Sequence, residues 1–255
     1  MKLNVDPMWL LAFFLAFIRA LAWLVVVPPF SNRTVVPRMA LVGIAGGLGI
    51  LAVPQIAHTH IPTDTAGLVG AVVLQIFTGA ALGLSVMILI SAVTAAGSMV
   101  DLFGGLNLPP AVDPLSENQT PMIGQFYEQV GMVLLFVSNG ELLLVRGFET
   151  SFGAAGLTLS SAATASNVLS SDLATFFTAT LEIAAPLIVV LFTTQISLAM
   201  LSKAAPQINV WILGFPIQAL MSLLFVAIGI KVLPGYVNNL VSRALQDAGA
   251  LLGGH

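Results

Sequence analysis

Residues 65–100 read TAGLVGAVVLQIFTGAALGLSVMILISAVTAAGSMV and contain no Asp, Glu, Lys or Arg. A bilayer crossing needs roughly 20 consecutive apolar residues, and this run is longer than that. Residues 183–202, IAAPLIVVLFTTQISLAMLS, and residues 204–230, AAPQINVWILGFPIQALMSLLFVAIGI, are also free of charge. None alternates with a period of two, as a lipid-facing β-strand would. The composition agrees: 58% of the 255 residues are hydrophobic and 7% are charged. A soluble domain carries roughly 25% charged residues. The pattern specifies an all-α, polytopic helical membrane protein.

The remaining bulk properties exclude several classes. A net charge of −3 leaves no strong electrostatic footprint for nucleic acid. With no cysteine there is no disulfide, thiol catalysis or iron–sulfur cluster. The apolar run Met8–Val27 is too long for the h-region of a signal peptide and lacks a small-residue cleavage site, so a first span is expected there.

Working outward from residues 65–100, six apolar helical segments emerge. The first is Met8–Val27, capped by Asp6, with Pro7 in its first turn and Pro28-Pro29 at its end. The second is Met39–Ala57. The third covers about Ala66–Val93, with a possible extension to Met99. Thr120-Pro121 starts a fourth over Met122–Arg146. Ser170 or Ser171, with Asp172, caps a fifth that ends at Met200 and is expected to kink at Pro186. The sixth, Asn209–Val232, is interrupted by Gly214 and Pro216. Gly147–Ser171 is small and polar and reads as a loose hairpin, and Leu233–His255 as an amphipathic tail. The expected organisation is one integral membrane domain over 1–255. It comprises N-terminal helices 1–99, a loop 100–120, middle helices 121–202 and a broken C-terminal hairpin with tail 203–255. With six spans both termini share a side. Lys2, Arg146, Lys231 and Arg243 against Arg33, Arg38 and Lys203 favour the cytoplasm.

Motifs for catalysis are missing. There is no phosphate-binding Gly-rich loop ending in Lys-Ser or Lys-Thr, no His-Glu-x-x-His and no Gly-x-Ser-x-Gly. His58 and His60 alone do not complete a metal site, and no cofactor is expected. Charges inside apolar segments are functional candidates by default. Arg19 lies within the first span, and Glu141 and Glu182 are the carboxylates available in later helices. These three support either a proton or ion relay, or a structural ion pair or snorkelling at a helix or subunit interface. Gly43 and Gly47, and Gly79 and Gly83, are four apart, a spacing for close helix approach within the chain or against other subunits.

Two stretches carry distinctive motifs. The sharper one is Lys203-Ala-Ala-Pro206-Gln207-Ile-Asn209-Val-Trp211-Ile-Leu-Gly214-Phe215-Pro216. The second runs from Asp113-Pro114 through Pro121 and Gln125-Phe126-Tyr127 to Asn139-Gly140. Both resemble the FliR family of flagellar type III export gates and its virulence-secretion counterparts. Pro28–Pro37, after Arg19, looks like the family's first connector. Gln218 departs from the family, which often has a basic residue there, and Glu141 stands where a His often follows the Gly.

The resemblance implies a fold like a fusion of FliP-like and FliQ-like helical hairpins. It implies a core subunit, without enzymatic activity, of the gate that conducts unfolded flagellar or virulence substrates. FliP-like and FliQ-like subunits would be its partners, with FlhB-like and FlhA-like proteins beside or below. The implied site is the bacterial inner membrane at the flagellar basal body. A small-molecule permease, or a membrane subunit of a transporter, is the alternative, and an integral-membrane enzyme comes third.

Two regions acquire expected roles. Lys203, Pro206, Gln207, Asn209, Gly214 and Pro216 would shape a broken helix at a subunit contact, since broken backbone at membrane depth persists only where protein or a water-lined cavity satisfies it. Val100–Thr120 holds too many Gly and Pro residues for a helix; it is either a surface loop or a loop that fills the pore. In the second case Gly104, Gly105, Leu106, Leu108, Pro109, Pro110, Val112, Asp113 and Pro114 form the plug.

Overall fold

The computed structural model of the chain describes residues 7–28, 30–31, 36–56, 61–105, 121–155, 162–207 and 209–251. Among them are eight helices: α1 (Pro7–Val26), α2 (Arg38–Ile56), α3 (Thr65–Phe103), α4 (Met122–Val137), α5 (Gly140–Ala155), α6 (Ala162–Ala204), α7 (Val210–Gly229) and α8 (Leu233–Leu251). No strand occurs among the described residues. α1, α2, α3, α6 and α7 are each long and apolar enough to cross a membrane, and α4 with α5 makes a sixth, bent candidate. An all-helical answer follows from the composition, because a helix satisfies its backbone polar groups within one segment.

The chain divides into two compact units. The first comprises Met1–Leu89, Asn139–Ala174 and Leu240–His255. Its core is built on stripes at helical spacing. α1 buries Ala12, Leu15, Ala16, Arg19, Ala20, Trp23 and Leu24. α2 answers with Leu41, Ala45, Leu48, Gly49, Ala52, Val53 and Ile56. At Gly49 a Cβ would meet Phe13 and the backbone of Phe17 at 3.3 Å, so glycine sets how closely α1 and α2 approach. Trp23 stacks on Phe148 of α5 with centroids 4.7 Å apart, and Phe148 meets Phe152 edge-on at 5.2 Å. The apolar side chains Met8, Trp9, Leu10 and Phe14 of α1 and Met39, Ile50 and Leu51 of α2 face outward.

The second unit comprises Ile90–Ser138 and Thr175–Asn239. Here α3 and α4 touch through glycine: a Cβ on Gly97 would strike the Ile123 carbonyl at 2.7 Å and the Gly124 Cα at 2.9 Å. Thr180 of α6 donates its hydroxyl to the Ala92 carbonyl of α3 at 3.3 Å. Gly229 of α7 lies against the Tyr127 hydroxyl and Leu187. The outer surface is apolar: Phe177, Val189, Phe192 and Met200 of α6 and Ile212, Leu220, Leu223 and Ile228 of α7 are exposed. Only 17% of the apolar stretch of α7 is buried, against 61% in α3.

Several expected boundaries are corrected. The third span runs to Phe103, because Gly97 and Asp101 pack inside a helix instead of ending it. The single helix Met122–Arg146 is two. α4 stops at Val137, and Asn139 adopts a φ of 55°, a left-handed conformation that Asn tolerates better than other non-glycine residues. The loose hairpin over Gly147–Ser171 is largely helical, covered by α5 to Ala155 and by α6 from Ala162, while residues 156–161 lie outside the described set. Asp172 is therefore not a cap but a fully buried residue in the interior of α6. Gly214 and Pro216 do not interrupt α7, which is continuous through both. A proline removes one backbone donor, and the rest of an apolar helix still gains most from remaining helical. The Asp6 and Thr120 caps, His58 and His60 lie outside the described residues.

The two small-residue pairs differ. Gly79 and Gly83 receive α1, with the Arg19 carbonyl against the first and Trp23 and Val26 against the second. At Gly43 and Gly47 an added Cβ would meet nothing of the chain within 4 Å. Gly79→Val is expected to push α1 away from α3 and cost about 1–3 kcal/mol. Gly43→Ala is expected to leave the isolated chain unaffected, and thermal unfolding of the two purified variants in detergent distinguishes them.

Candidate functional site

Phe103 ends α3 and Met122 begins α4, so the segment with the expected plug lies in sequence between these two helices. Leu106, Leu108, Pro109, Pro110, Val112, Asp113 and Pro114 lie outside the described residues; Gly104 and Gly105 form the turn that precedes them. The turn is held from three sides. Gln195 of α6 donates from Nε2 to the Phe103 carbonyl at 2.6 Å. The Ser222 hydroxyl of α7, itself buried, lies so close to Gly104 that a Cβ has no room. Gly105 has a φ of 64°, and a Cβ on it would meet Oε1 of Gln218 at 2.6 Å. Glycine is required at both positions, at the second for its dihedral as well.

The start of α4 is pinned to α3. Pro121 precedes α4 and offers no side-chain cap. Asp101, buried in the last turn of α3, accepts the Gly124 N–H at 2.9 Å through Oδ2. Gly124 is the third residue of α4, one of the donors that an N-cap side chain normally satisfies. A carboxylate on α3 thus caps α4 across a contact of Gly97, Ser98 and Gly124. Asp101, Gln195 and Ser222 were not among the expected site residues. The sequence signal for Asp101 was a lone carboxylate four residues after Gly97, at the end of a charge-free run.

The Lys203–Pro216 group is spread over two helices and their connection. Lys203 is in the last turn of α6; Pro206 and Gln207 form an exposed turn. The Asn209 carbonyl accepts the Ile212 N–H at 3.1 Å, starting α7. Gly214 is buried, 3.7 Å from Leu198 at its missing Cβ, whereas Pro216 is exposed.

The three expected intramembrane charges occupy unlike places. Arg19 is completely buried. Its Nε donates to Gln75 Oε1 at 2.6 Å, and its Nη1 donates to the Ser151 carbonyl at 3.1 Å and hydroxyl at 3.2 Å. Its guanidinium lies 4.3 Å from the centroid of Phe152, a cation–π distance. Glu141 opens α5, where a carboxylate suits the helix dipole. Glu182 is exposed beside a cavity of about 50 Å³ shared with Tyr127, Pro186 and Gly229. Among the described residues no group of three His, Cys, Asp or Glu side chains could hold a metal ion.

A family model described as bacterial export proteins, family 1, matches residues 10–244. The chain belongs to this family. It is 28% identical over 239 residues to the flagellar biosynthetic protein FliR of Escherichia coli (strain K12), covering 92% of this chain and 90% of that protein. Identity to FliR of Bacillus subtilis (strain 168) is 27% over 245 residues, 94% of each chain. The secretion system apparatus protein SsaT of Salmonella typhimurium is 24% identical over 222 residues, 85% of each chain.

In this export-protein chain the loop base and the Arg19 node are two polar structures buried in apolar helices. Asp101→Ala is expected to leave the Gly124 amide of α4 without its acceptor and to cost about 1–2 kcal/mol, with Asp101→Asn costing less. Gln75→Leu is expected to cost about 1.5–3 kcal/mol, the range for a hydrogen bond to a charged group. Thermal unfolding of the purified variants against the parent chain checks both.

Proposed function

We infer that the chain is a core subunit of the type III protein export gate, without enzymatic activity. It helps to form the pore through which unfolded flagellar or virulence substrates cross the inner membrane, and flagellum assembly requires it. The observation that carries this reading is the match to the FliR proteins over about nine-tenths of their length. SsaT, named as a secretion apparatus protein, supports the same machinery on the virulence side.

Physical features support membership of an assembly. α3 and α6 have 39 and 43 residues, roughly 60 Å of helix against a hydrocarbon core of about 30 Å. Helices of that length are better served by surrounding protein than by lipid alone. The apolar outer faces of α6 and α7, and the open glycines of α2, provide surfaces for FliP-like and FliQ-like subunits, with FlhB-like and FlhA-like proteins nearby. The turn at Pro206 and Gln207, with the exposed Lys203, Asn209 and Pro216 around it, belongs to that contact surface, and Gly214 packs behind it against Leu198.

The segment 104–114 acts as the plug. A pore wide enough for an unfolded chain leaks ions when idle, and apolar side chains such as Leu106, Leu108 and Val112 close a narrow passage by excluding water. The tethered root supports this reading: Gln195 and Asp101 hydrogen-bond at the Phe103 carbonyl and the Gly124 amide on either side of the segment, and Ser222 packs against Gly104. Deleting 106–111 is expected to preserve assembly and raise ion conductance through the purified gate in planar bilayers. Unchanged conductance in a correctly assembled gate would move the plug to a partner. The chain is expected to purify with several copies of FliP-like and FliQ-like subunits; a stable monomer that transports a small solute would favour a permease instead.

A further inference from the structure

Between Asp172 and Lys203 of α6 the sequence has one charged residue, Glu182. At 1.5 Å per residue it stands roughly 15 Å from the first and 30 Å from the second along the helix. It points outward: Glu182 is exposed, as are Leu181, Ala185 and Val189 on the same side. It has no ion pair or hydrogen bond among the described residues. A carboxylate set among outward apolar side chains at mid-span is costly to leave against lipid.

The cavity of about 50 Å³ beside Glu182 supplies a place for a counter-charge. It lies wholly within the second unit, and Glu182, Pro186 and Val232 in its wall are exposed, so it is reached from the outer surface. Ile183, Leu187 and Leu233 make the rest of the wall largely apolar. The volume suits the end of one long side chain and is far too small for a substrate. No Lys or Arg lines it, and Lys231, next to Val232 in sequence, is exposed and outside the wall. Tyr127 does line it; this residue is 1% exposed, and its hydroxyl has no hydrogen-bond partner among the described residues. Pro186 has no N–H, so the helix offers the Glu182 carbonyl no donor either. A carboxylate, a carbonyl and a hydroxyl that can accept are thus gathered in one place. Their complement is a primary ammonium, which carries three donors and no acceptor and whose apolar stem can lie along Ile183 and Leu187.

We propose that Glu182 and Tyr127 receive a basic side chain, best matched by lysine, from an apolar helix of a neighbouring gate subunit. This rests on the reading of the chain as a subunit of an assembly, and it adds how one neighbour is selected. Apolar faces accept any apolar helix in many registers. A single counter-charge admits only the helix, and the register, that brings its ammonium to Glu182.

The assembled complex, purified in detergent, tests this. A photo-crosslinking residue in place of Val189, which is 64% exposed on the same side of α6, is expected to capture an apolar segment of another subunit that contains a Lys or Arg. Dissociation of that subunit, followed by native mass spectrometry, is expected to be at least about thirtyfold faster in Glu182→Gln, as for a buried pair that loses one partner. Tyr127→Phe is expected to speed it about two- to tenfold. Glu182→Lys is expected to release the subunit, and changing the captured basic residue to Glu is expected to restore it. Thermal unfolding of the isolated chain is expected to be the same for Glu182→Gln and the parent, since Glu182 has no described partner within the chain. If the complex forms but Glu182→Gln leaves dissociation unchanged, or if the captured segment has no basic residue, the proposal is overturned while the gate reading stands; Glu182 then faces lipid or water. Crosslinking only to a second copy of this chain overturns it as well. A chain that purifies with no other subunit overturns both.

Discussion

A guanidinium shut away from water must have its donors satisfied by protein, and Arg19 meets that demand between three helices. Its side chain has no solvent exposure. Gln75 of α3 and Ser151 of α5 receive its hydrogen bonds, and the ring of Phe152 covers its face. An isolated charge at mid-helix costs about 2.5–3.5 kcal/mol on insertion scales, so the helices that solvate it are committed to one arrangement. The close approach of α3 to α1 at Gly79, where the Arg19 carbonyl occupies the space of a side chain, belongs to the same arrangement. The Trp23–Phe148 stack fills the next turn of the same face.

Elsewhere the chain follows a related economy. The outward faces of α1, α2, α6 and α7 carry many exposed apolar side chains, which offer little to distinguish one helix packing from another. Selectivity then comes from a few short polar links and from glycines that admit a neighbouring backbone. In the second unit these are Gly97 against Gly124, Thr180 on Ala92, and Asp101 at the start of α4. In the first they are Arg19 and the Ser85–Asp172 bond. Such links are worth more where water cannot compete for the same donors and acceptors.

The connection between α3 and α4 is located by the same kind of link. Gln195 and Asp101 secure the two ends with one hydrogen bond each, and glycine at 104 and 105 supplies the turn. The motif residue Asn139 has a comparable role elsewhere, since its left-handed conformation ends α4 and lets α5 begin. Pro206 and Gln207 form the turn that separates α6 from α7.

From the sequence alone came the class of the molecule, the number of apolar segments and the resemblance to export-gate proteins. Each rests on local properties: charge-free runs, their length, and the order of helix breakers. The Asp113-Pro114 and Pro206–Pro216 stretches were legible for the same reason. Helix ends were less legible. Gly214 and Pro216 lie within a continuous α7, and most of Gly147–Ser171 is helical in α5 and α6 and not a loose hairpin, because tertiary packing can hold weak helix formers in a helix. What only the tertiary structure decided is which polar residues meet. Arg19 and Ser151 are 132 positions apart, Ser85 and Asp172 are 87 apart, and Gln195 reaches a carbonyl 92 positions away. No periodicity encodes such pairings; they exist because buried donors and acceptors need partners, and only the packed chain determines which are within reach.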